Sequence, residues 1–368
     1  MDRIPLVDLQ AQHRVVADTV EAGFRKVMDR TAFVLGEEVD AFERAFAEFT
    51  GVAHCAGVAN GTDAIELALR ALGIGVGDEV VIPANTFVAT AEAVVRAGAT
   101  PVLADCDPEY LLIDPERALD RIGPATRALV PVHLFGQLAP VEQLRAGLHG
   151  DRVAIVEDAA QCQGATRFGR GPASEGDVAS TSFYPGKNLG AYGDAGAVFT
   201  NRDDIDHAVR VMRDHGSEAK YEHTMLGCNS RLDTLQAVVL SAKLEHLARW
   251  NAARRAAAQR YDELLAGVDG VRRPRTLDGN EHVWHLYVVR VDNRDEVLHA
   301  LHEAGIGAGV HYPRPVHLHG AFAGLGHGPG DFPVAERAAQ EILSLPLFAE
   351  ITPEQQDRVV TTLAAALR

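Results

Sequence analysis

A lysine at the end of a strand is the residue best placed to do chemistry in this chain. The sequence holds four lysines, Lys26, Lys187, Lys220 and Lys243, within a basic total of 35. Arginine pairs ions but does not give up its proton. A lysine held in a dry pocket loses its proton readily and attacks carbonyl carbon. Lys26 and Lys243 fall in helical patterns, and Lys220 falls in a polar stretch. Lys187 instead follows the strand-like run 178–183 and precedes a glycine-rich segment, within Ser182-Phe183-Tyr184-Pro185-Gly186-Lys187-Asn188-Leu189-Gly190. By position alone it fits either a nucleophilic amine or a surface-loop lysine.

Four other segments give Lys187 a setting. Asn60-Gly61-Thr62-Asp63-Ala64 falls between a strand and a helix. Backbone amides and the Thr62 hydroxyl there would cradle a phosphate, with Gly61 allowing close approach, though ordinary capping explains the same residues. Val153-Ala154-Ile155-Val156 delivers Glu157 and Asp158 to a buried strand end, one side chain on each face. A buried carboxylate stays ionised only beside a cation, and a protonated pyridine nitrogen is one. Lysine plus an acidic partner for a pyridinium is the mark of pyridoxal 5′-phosphate sites. Ser182 ends another strand within reach of a phosphate, and Phe87 opens a helix where an aromatic ring could stack on a flat cofactor or pack in the core. No Gly-x-Gly-x-x-Gly joins a first strand to its helix, which disfavours a nicotinamide dehydrogenase.

The elements that must position these groups follow from periodicity. Short apolar runs at 53–57, 79–82, 101–104, 128–132, 153–157, 178–183 and 196–200 alternate with helical patterns at 62–72 and 86–97. Runs of that length suit strands buried on both faces. They predict an α/β fold with a large, doubly wound, mostly parallel sheet and ligands at the strands' carboxyl ends. Beyond residue 201 a long helix is expected over 235–265, bent near Trp250-Asn251. A strand at 285–291 and helices at 295–304 and 353–367 then make a smaller α+β domain. The expected division is 1–250 for the large domain, including an N-terminal helical segment, and 251–368 for the small one.

Acidic residues outnumber basic ones, 51 to 35, a formal charge of −16, which argues against nucleic acid as a partner. No signal peptide is evident, and the most apolar region, 80–104, is interrupted by Pro83, Glu92, Arg96 and Pro101, so no membrane span is expected. Cys55, Cys106, Cys162 and Cys228 show no paired spacing and are expected as reduced thiols of a cytoplasmic protein.

Together, Gly61-Thr62-Asp63-Ala64, Glu157-Asp158-Ala159-Ala160-Gln161, the Ser182–Gly190 block, Gly227-Cys228-Asn229-Ser230-Arg231-Leu232-Asp233 and His311-Tyr312-Pro313-Arg314-Pro315-Val316-His317-Leu318 resemble the nucleotide-sugar aminotransferases of the DegT family. The likeness runs from Asp8 to Phe348. It implies the type I aminotransferase fold and a homodimer with shared active sites, using pyridoxal 5′-phosphate. It implies that Lys187 binds the cofactor covalently, that Asp158 faces the pyridine nitrogen, and that Phe87 covers the ring. Gly61, Thr62 and Ser182 would hold the phosphate, with Gln161 beside the ring. Asn229 would reach the phosphate of the neighbouring subunit. His311, Tyr312 and Arg314 would line the substrate mouth. Histidine in place of the lysine marks the family's dehydratases, so lysine here implies transamination. The implied reaction moves an amino group from L-glutamate to a nucleotide-diphosphate keto sugar. The segment His-Tyr-Pro with Pro-Val-His-Leu is most similar to enzymes aminating dTDP-3-keto-6-deoxyhexoses. Amination at the 4-position is the alternative within the family, and a non-catalytic regulatory member is the alternative outside it. Gly186 stands where the family usually has threonine, which should loosen the turn without removing a catalytic group.

Three weaker signals remain. His311, His317 and His319 lack regular ligand spacing and an acidic partner nearby, so no metal is expected. Arg249, Trp250, Arg254 and Arg255 could form a basic nucleotide contact, but a solvated helix face is the expected reading. Asp203-Asp204 is expected to start a helix.

Overall fold

A computed structural model describes residues 3–150 and 152–368. Seven strands form the main sheet: β1 (His54–Val58), β2 (Glu79–Pro83), β3 (Thr100–Ala104), β4 (Thr126–Leu129), β5 (Ala154–Asp158), β6 (Val178–Ser182) and β7 (Gly196–Thr200). Their order is β1-β7-β6-β5-β4-β2-β3. Only β7 runs against its neighbours, pairing antiparallel with both β1 and β6. Val81, Leu129, Ile155, Val156 and Val178 are wholly buried because helices cover both faces. Gly61–Ala71 packs on one face, burying Ala64, Ile65, Leu67, Ala68 and Leu69. The N-terminal helices Leu9–Arg30 and Glu37–Thr50 lie against the long helix Thr234–Leu265. Asp203 does begin a helix, Asp203–Arg213, with three acidic residues in its first turn.

The long helix is continuous for 32 residues, with no break at Trp250, and the division drawn at residue 250 crosses its middle. Its two halves serve different cores. Ala237, Leu240 and Leu247 pack with Phe183, Leu189 and Ala191 of the large sheet's periphery. Ala257, Ala258, Tyr261 and Leu265 pack with Tyr287, Val289, Leu343, Val359 and Leu363. That second core lies around a two-stranded antiparallel sheet, β8 (Tyr287–Arg290) with β9 (Ile342–Leu345), and the helices Arg294–Glu303 and Pro353–Ala366. Arg254 also departs from expectation. It is 1% exposed, not solvated, and donates to the carbonyls of Trp284 and Leu347. It ties the middle of the helix to chain leading into and out of the small sheet.

Candidate active site

The lysine loop begins where β6 ends. Phe183 is fully buried and meets Phe42 and Phe46 edge-on, at centroid distances of 5.4 and 5.2 Å. Each such pair contributes roughly 0.5–1.5 kcal/mol beyond its buried area, which anchors the loop at its root. Phe183 N–H donates to Ala195 O, and Ala191 N–H donates to Phe183 O, both at 2.8 Å, closing the loop over 183–195. Inside it Lys187 N–H donates to Tyr184 O at 2.8 Å. Gly190 packs backbone-on-backbone against Pro185, where any Cβ would collide with the Pro185 carbonyl. Gly186 is different. Its φ is not left-handed, and an added Cβ would find only the Tyr184 ring, at 3.7 Å. The turn therefore does not need glycine, and its cost is borne in the unfolded chain. Gly186→Ala is expected to raise stability by about 0.4–1 kcal/mol, read as a higher urea midpoint at unchanged slope.

Lys187 is half-buried and its amine carries a depressed pKa of about 8. Desolvation drives the shift, and the Asp158 carboxylate and the Cys162 thiol oppose it. Asp158, 5% exposed, ends β5. Its Oδ2 accepts from Thr90 Oγ1 at 2.8 Å, and its Oδ1 accepts from Ala160 N–H at 3.1 Å. The Thr90 hydroxyl uses its one hydrogen in the bond to Asp158, so the 2.8 Å contact with Thr86 Oγ1 is a bond donated by Thr86. Glu157 turns to the other face, as alternation on a strand requires. There it meets His133 Nε2 at 2.7 Å and accepts from Ala173 and Gly176 N–H, a structural role.

The candidate phosphate cradle is assembled from two elements. Asn60 caps Gly61–Ala71, its side chain accepting from Asp63 N–H at 2.8 Å. That leaves the Gly61 and Thr62 amides free of the cap. Gly61 abuts the end of β6 so tightly that a Cβ would lie 2.6 Å from Ser182 Cβ. Glycine is required here by contact, and the contact brings Ser182 beside a helix N-terminus.

Phe87 is 49% exposed at the start of Val88–Arg96, and its ring lies 4.9 Å from that of Tyr312. Gln161 is fixed at both ends. Its Oε1 accepts from Phe135 N–H at 2.6 Å, and its Nε2 donates to Tyr312 OH at 3.0 Å. His311 Nδ1 meets Ser344 Oγ at 2.8 Å, and burial, aided by the Lys187 charge, lowers its pKa to about 4. The exposed Arg314 shares a crevice with His311, Tyr312, Asn85 and Phe135. Asn229 is exposed, while its neighbour Ser230 donates to Asp63 Oδ2 at 2.7 Å. The 227–231 segment thus stands by the cradle helix, with the Asn229 side chain turned outward. His317 is buried and bonded to Glu336 at 3.0 Å, and His319 meets the Arg314 carbonyl.

Several residues of this site carry no sequence signal of their own. Thr86 and Thr90 orient Asp158. Asn188, next to the lysine, is 1% exposed and donates to Asn251 Oδ1 and to Val283 O, each at 2.9 Å. Its oxygen can then only accept, so His285 donates to it from Nδ1 and is the neutral Nδ1–H tautomer. Burial, with Lys187 as the next cause, holds His285 well below the usual histidine range.

A depressed lysine, a buried carboxylate with no ion pair among the described residues, and a glycine–serine cradle under a helix N-terminus fit pyridoxal 5′-phosphate. Together with this sheet they mark a pyridoxal phosphate enzyme of the type I fold. The chain belongs to the DegT/DnrJ/EryC1/StrS aminotransferase family, which matches residues 16–364. It is 43% identical to the dTDP-3-amino-3,4,6-trideoxy-alpha-D-glucose transaminase of Streptomyces venezuelae, over 97% of this chain and 94% of that one. It is also 43% identical to a UDP-N-acetyl-3-dehydro-alpha-D-glucosamine 3-aminotransferase of Acidithiobacillus ferrooxidans, over 99% and 98%. The crystal structure of S. venezuelae DesV superposes on the whole of both chains with a TM-score of 0.97 at 42% identity. The protein is therefore an aminotransferase of the type I fold, with pyridoxal 5′-phosphate as its cofactor. Among the described residues no helix is long and apolar enough to cross a membrane.

Proposed function

We propose that the protein transfers an amino group from L-glutamate to the 3-keto group of a dTDP-linked 6-deoxyhexose, as a cytoplasmic homodimer. The observation that carries the catalytic reading is the Lys187 amine, buried and depressed to about 8, with the Asp158 carboxylate close enough to act on it. The sugar position and nucleotide rest on likeness: one relative is named for a dTDP 3-amino sugar and another for a UDP 3-amino sugar, so amination at carbon 3 has more support than the choice of nucleotide.

Pyridoxal phosphate supplies an aldehyde that takes up the amino group and a ring that absorbs electrons. The residues of this chain do the rest. Lys187 would hold the cofactor and carry the proton that leaves the donor's α-carbon. Asp158, held by Thr90 and Ala160, would keep a proton on the ring nitrogen. Gly61, Thr62 and Ser182 would hold its phosphate, and Phe87 and Gln161 would flank its ring. His311, neutral at working pH, together with Tyr312 and Arg314 contacts the sugar or its diphosphate. Donor and acceptor use one site in turn, so the kinetics are ping-pong.

Glutamate with a panel of dTDP-, UDP- and GDP-linked 3-keto and 4-keto sugars, analysed by mass spectrometry, tests this reading. The dTDP 3-keto sugar is expected to be the best acceptor. Preferential turnover of a 4-keto or UDP sugar overturns the specificity, and no product from any acceptor overturns the activity.

The outward Asn229 fits a role across a dimer, at the phosphate of the other subunit. Lys187→Ala and Asn229→Asp homodimers are then each expected to be nearly inactive. Their mixed dimer collects both lesions in one site and neither in the other, so about half of wild-type activity returns. Heterodimers that form without recovering activity place Asn229 elsewhere.

A further inference from the structure

One face of the long helix Thr234–Leu265 grips the lysine loop at three points. Gln236 Oε1 accepts from Tyr192 N–H at 2.8 Å, Lys243 Nζ donates to the Gly190 carbonyl at 2.7 Å, and Asn251 Oδ1 accepts from Asn188 at 2.9 Å. Spacings of seven and eight residues bring all three to one side of a helix.

Two of these are ordinary polar fasteners, but Lys243 is not. It is 2% exposed, and burial alone acts on its amine, lowering the pKa to about 8, with no carboxylate to offset the charge. Its company is the Gly190 carbonyl and the face of Tyr192, whose ring centre is 4.8 Å away. The Tyr192 hydroxyl is itself held by His13 Nδ1 at 2.6 Å. The surroundings are apolar, with Leu189, Ala191, Leu240 and Leu247 in one core. An aliphatic side chain would fill that place without burying a charge, so core packing does not explain a lysine.

The atom it holds is well chosen. Gly190 closes the turn that carries the reactive lysine, and it lies backbone-on-backbone against Pro185. A displacement of Gly190 must move Pro185, Gly186 and Lys187 with it. Depressed basicity is shared by Lys187 and Lys243, so it does not tell them apart. Geometry does: the Lys243 amine is spent on a carbonyl, and no such bond holds Lys187.

We propose that Lys243 is a positioning residue for transamination, fixing the 185–190 turn through the Gly190 carbonyl and thereby the place of the Lys187 amine. It touches neither cofactor nor substrate. The inference rests on Lys187 as the reactive amine.

Amide hydrogen exchange of the cofactor-free protein tests it apart from activity. In Lys243→Met the Lys187 and Ala191 amides are expected to exchange about tenfold faster, the scale of one lost charge-assisted hydrogen bond. Val156 and Val198 in the sheet should keep their protection. Reconstituted Lys243→Met should show a shifted visible band and a kcat lowered about tenfold or more, with KM for glutamate within about twofold. Lys243→Arg should restore loop protection and most of kcat. Unchanged exchange at Lys187 and Ala191, or equal acceleration in the sheet, overturns the proposal. If Lys243→Met does not fold, Lys243→Gln, which loses the charge and the reach, decides by the same amides. A wild type that captures the cofactor on another lysine sinks the reading of Lys187 instead, and leaves the exchange result standing.

Discussion

Lys187→Ala is expected to abolish turnover and the visible absorbance of bound cofactor while leaving the fold intact. Lys187 N–H, not its side chain, makes the turn bond to Tyr184, and no hydrogen bond depends on its amine. Truncation therefore removes the nucleophile without unpinning the loop, and the thermal midpoint should stay within a few degrees. The other lysines cannot substitute. Lys26 lies 3.3 Å from Glu38 on the helical surface, Lys220 rests on Tyr221, and Lys243 is bound to Gly190. A residual band in the variant would name one of them and remove Lys187 from its role. In the wild type the free amine is the attacking form, so capture of the cofactor should quicken as pH rises and level off above about 8. An ordinary lysine would still be gaining at pH 10.

The second large effect is expected from Asp158→Asn. Asparagine keeps the shape, and the threonine chain can accommodate it. Thr90 can accept from the new amide and turn its own proton to Thr86, while the amide oxygen still accepts from Ala160. Folding and cofactor binding should survive. What is lost is the negative charge at the end of β5, without which nothing in the site holds a proton on the pyridine nitrogen. The first half-reaction with glutamate, followed by stopped-flow absorbance, should slow about a thousandfold or more, the scale on which charged partners of reacting groups act. A half-reaction at the wild-type rate would remove Asp158 from the chemistry and leave it a structural carboxylate like Glu157.

Those two carboxylates show what residue order can carry. Alternation on a strand requires that Glu157 and Asp158 face opposite ways, and they do. It does not say which one is held by Thr90 and which meets His133. That depends on what each face of the sheet is packed against. Likewise β9 was not anticipated, because Ile342–Leu345 follows the helix Pro333–Glu341 with no turn residue to punctuate it. Its assignment comes from its partner β8, which lies more than fifty residues earlier.

The seven strands of the large sheet and most of the helices were legible because a buried strand must be apolar along its whole length. A short run between polar turns is therefore its own evidence. Lys187, Gly61, Thr62 and Ser182 stood out by their places at strand ends, although position alone also gave the lysine a surface-loop reading and the 60–64 segment a capping one. Only the tertiary structure decided how those groups are held. Thr90 orients Asp158 from 68 residues away, Asn188 is fixed by Asn251 and His285, and Lys243 grips Gly190 from a helix that periodicity marked as merely helical. Periodicity encodes which face of an element is covered. It does not encode which side chain covers it, and so neither the burial of Lys243 nor the depressed amine of Lys187 could be read before the chain was folded.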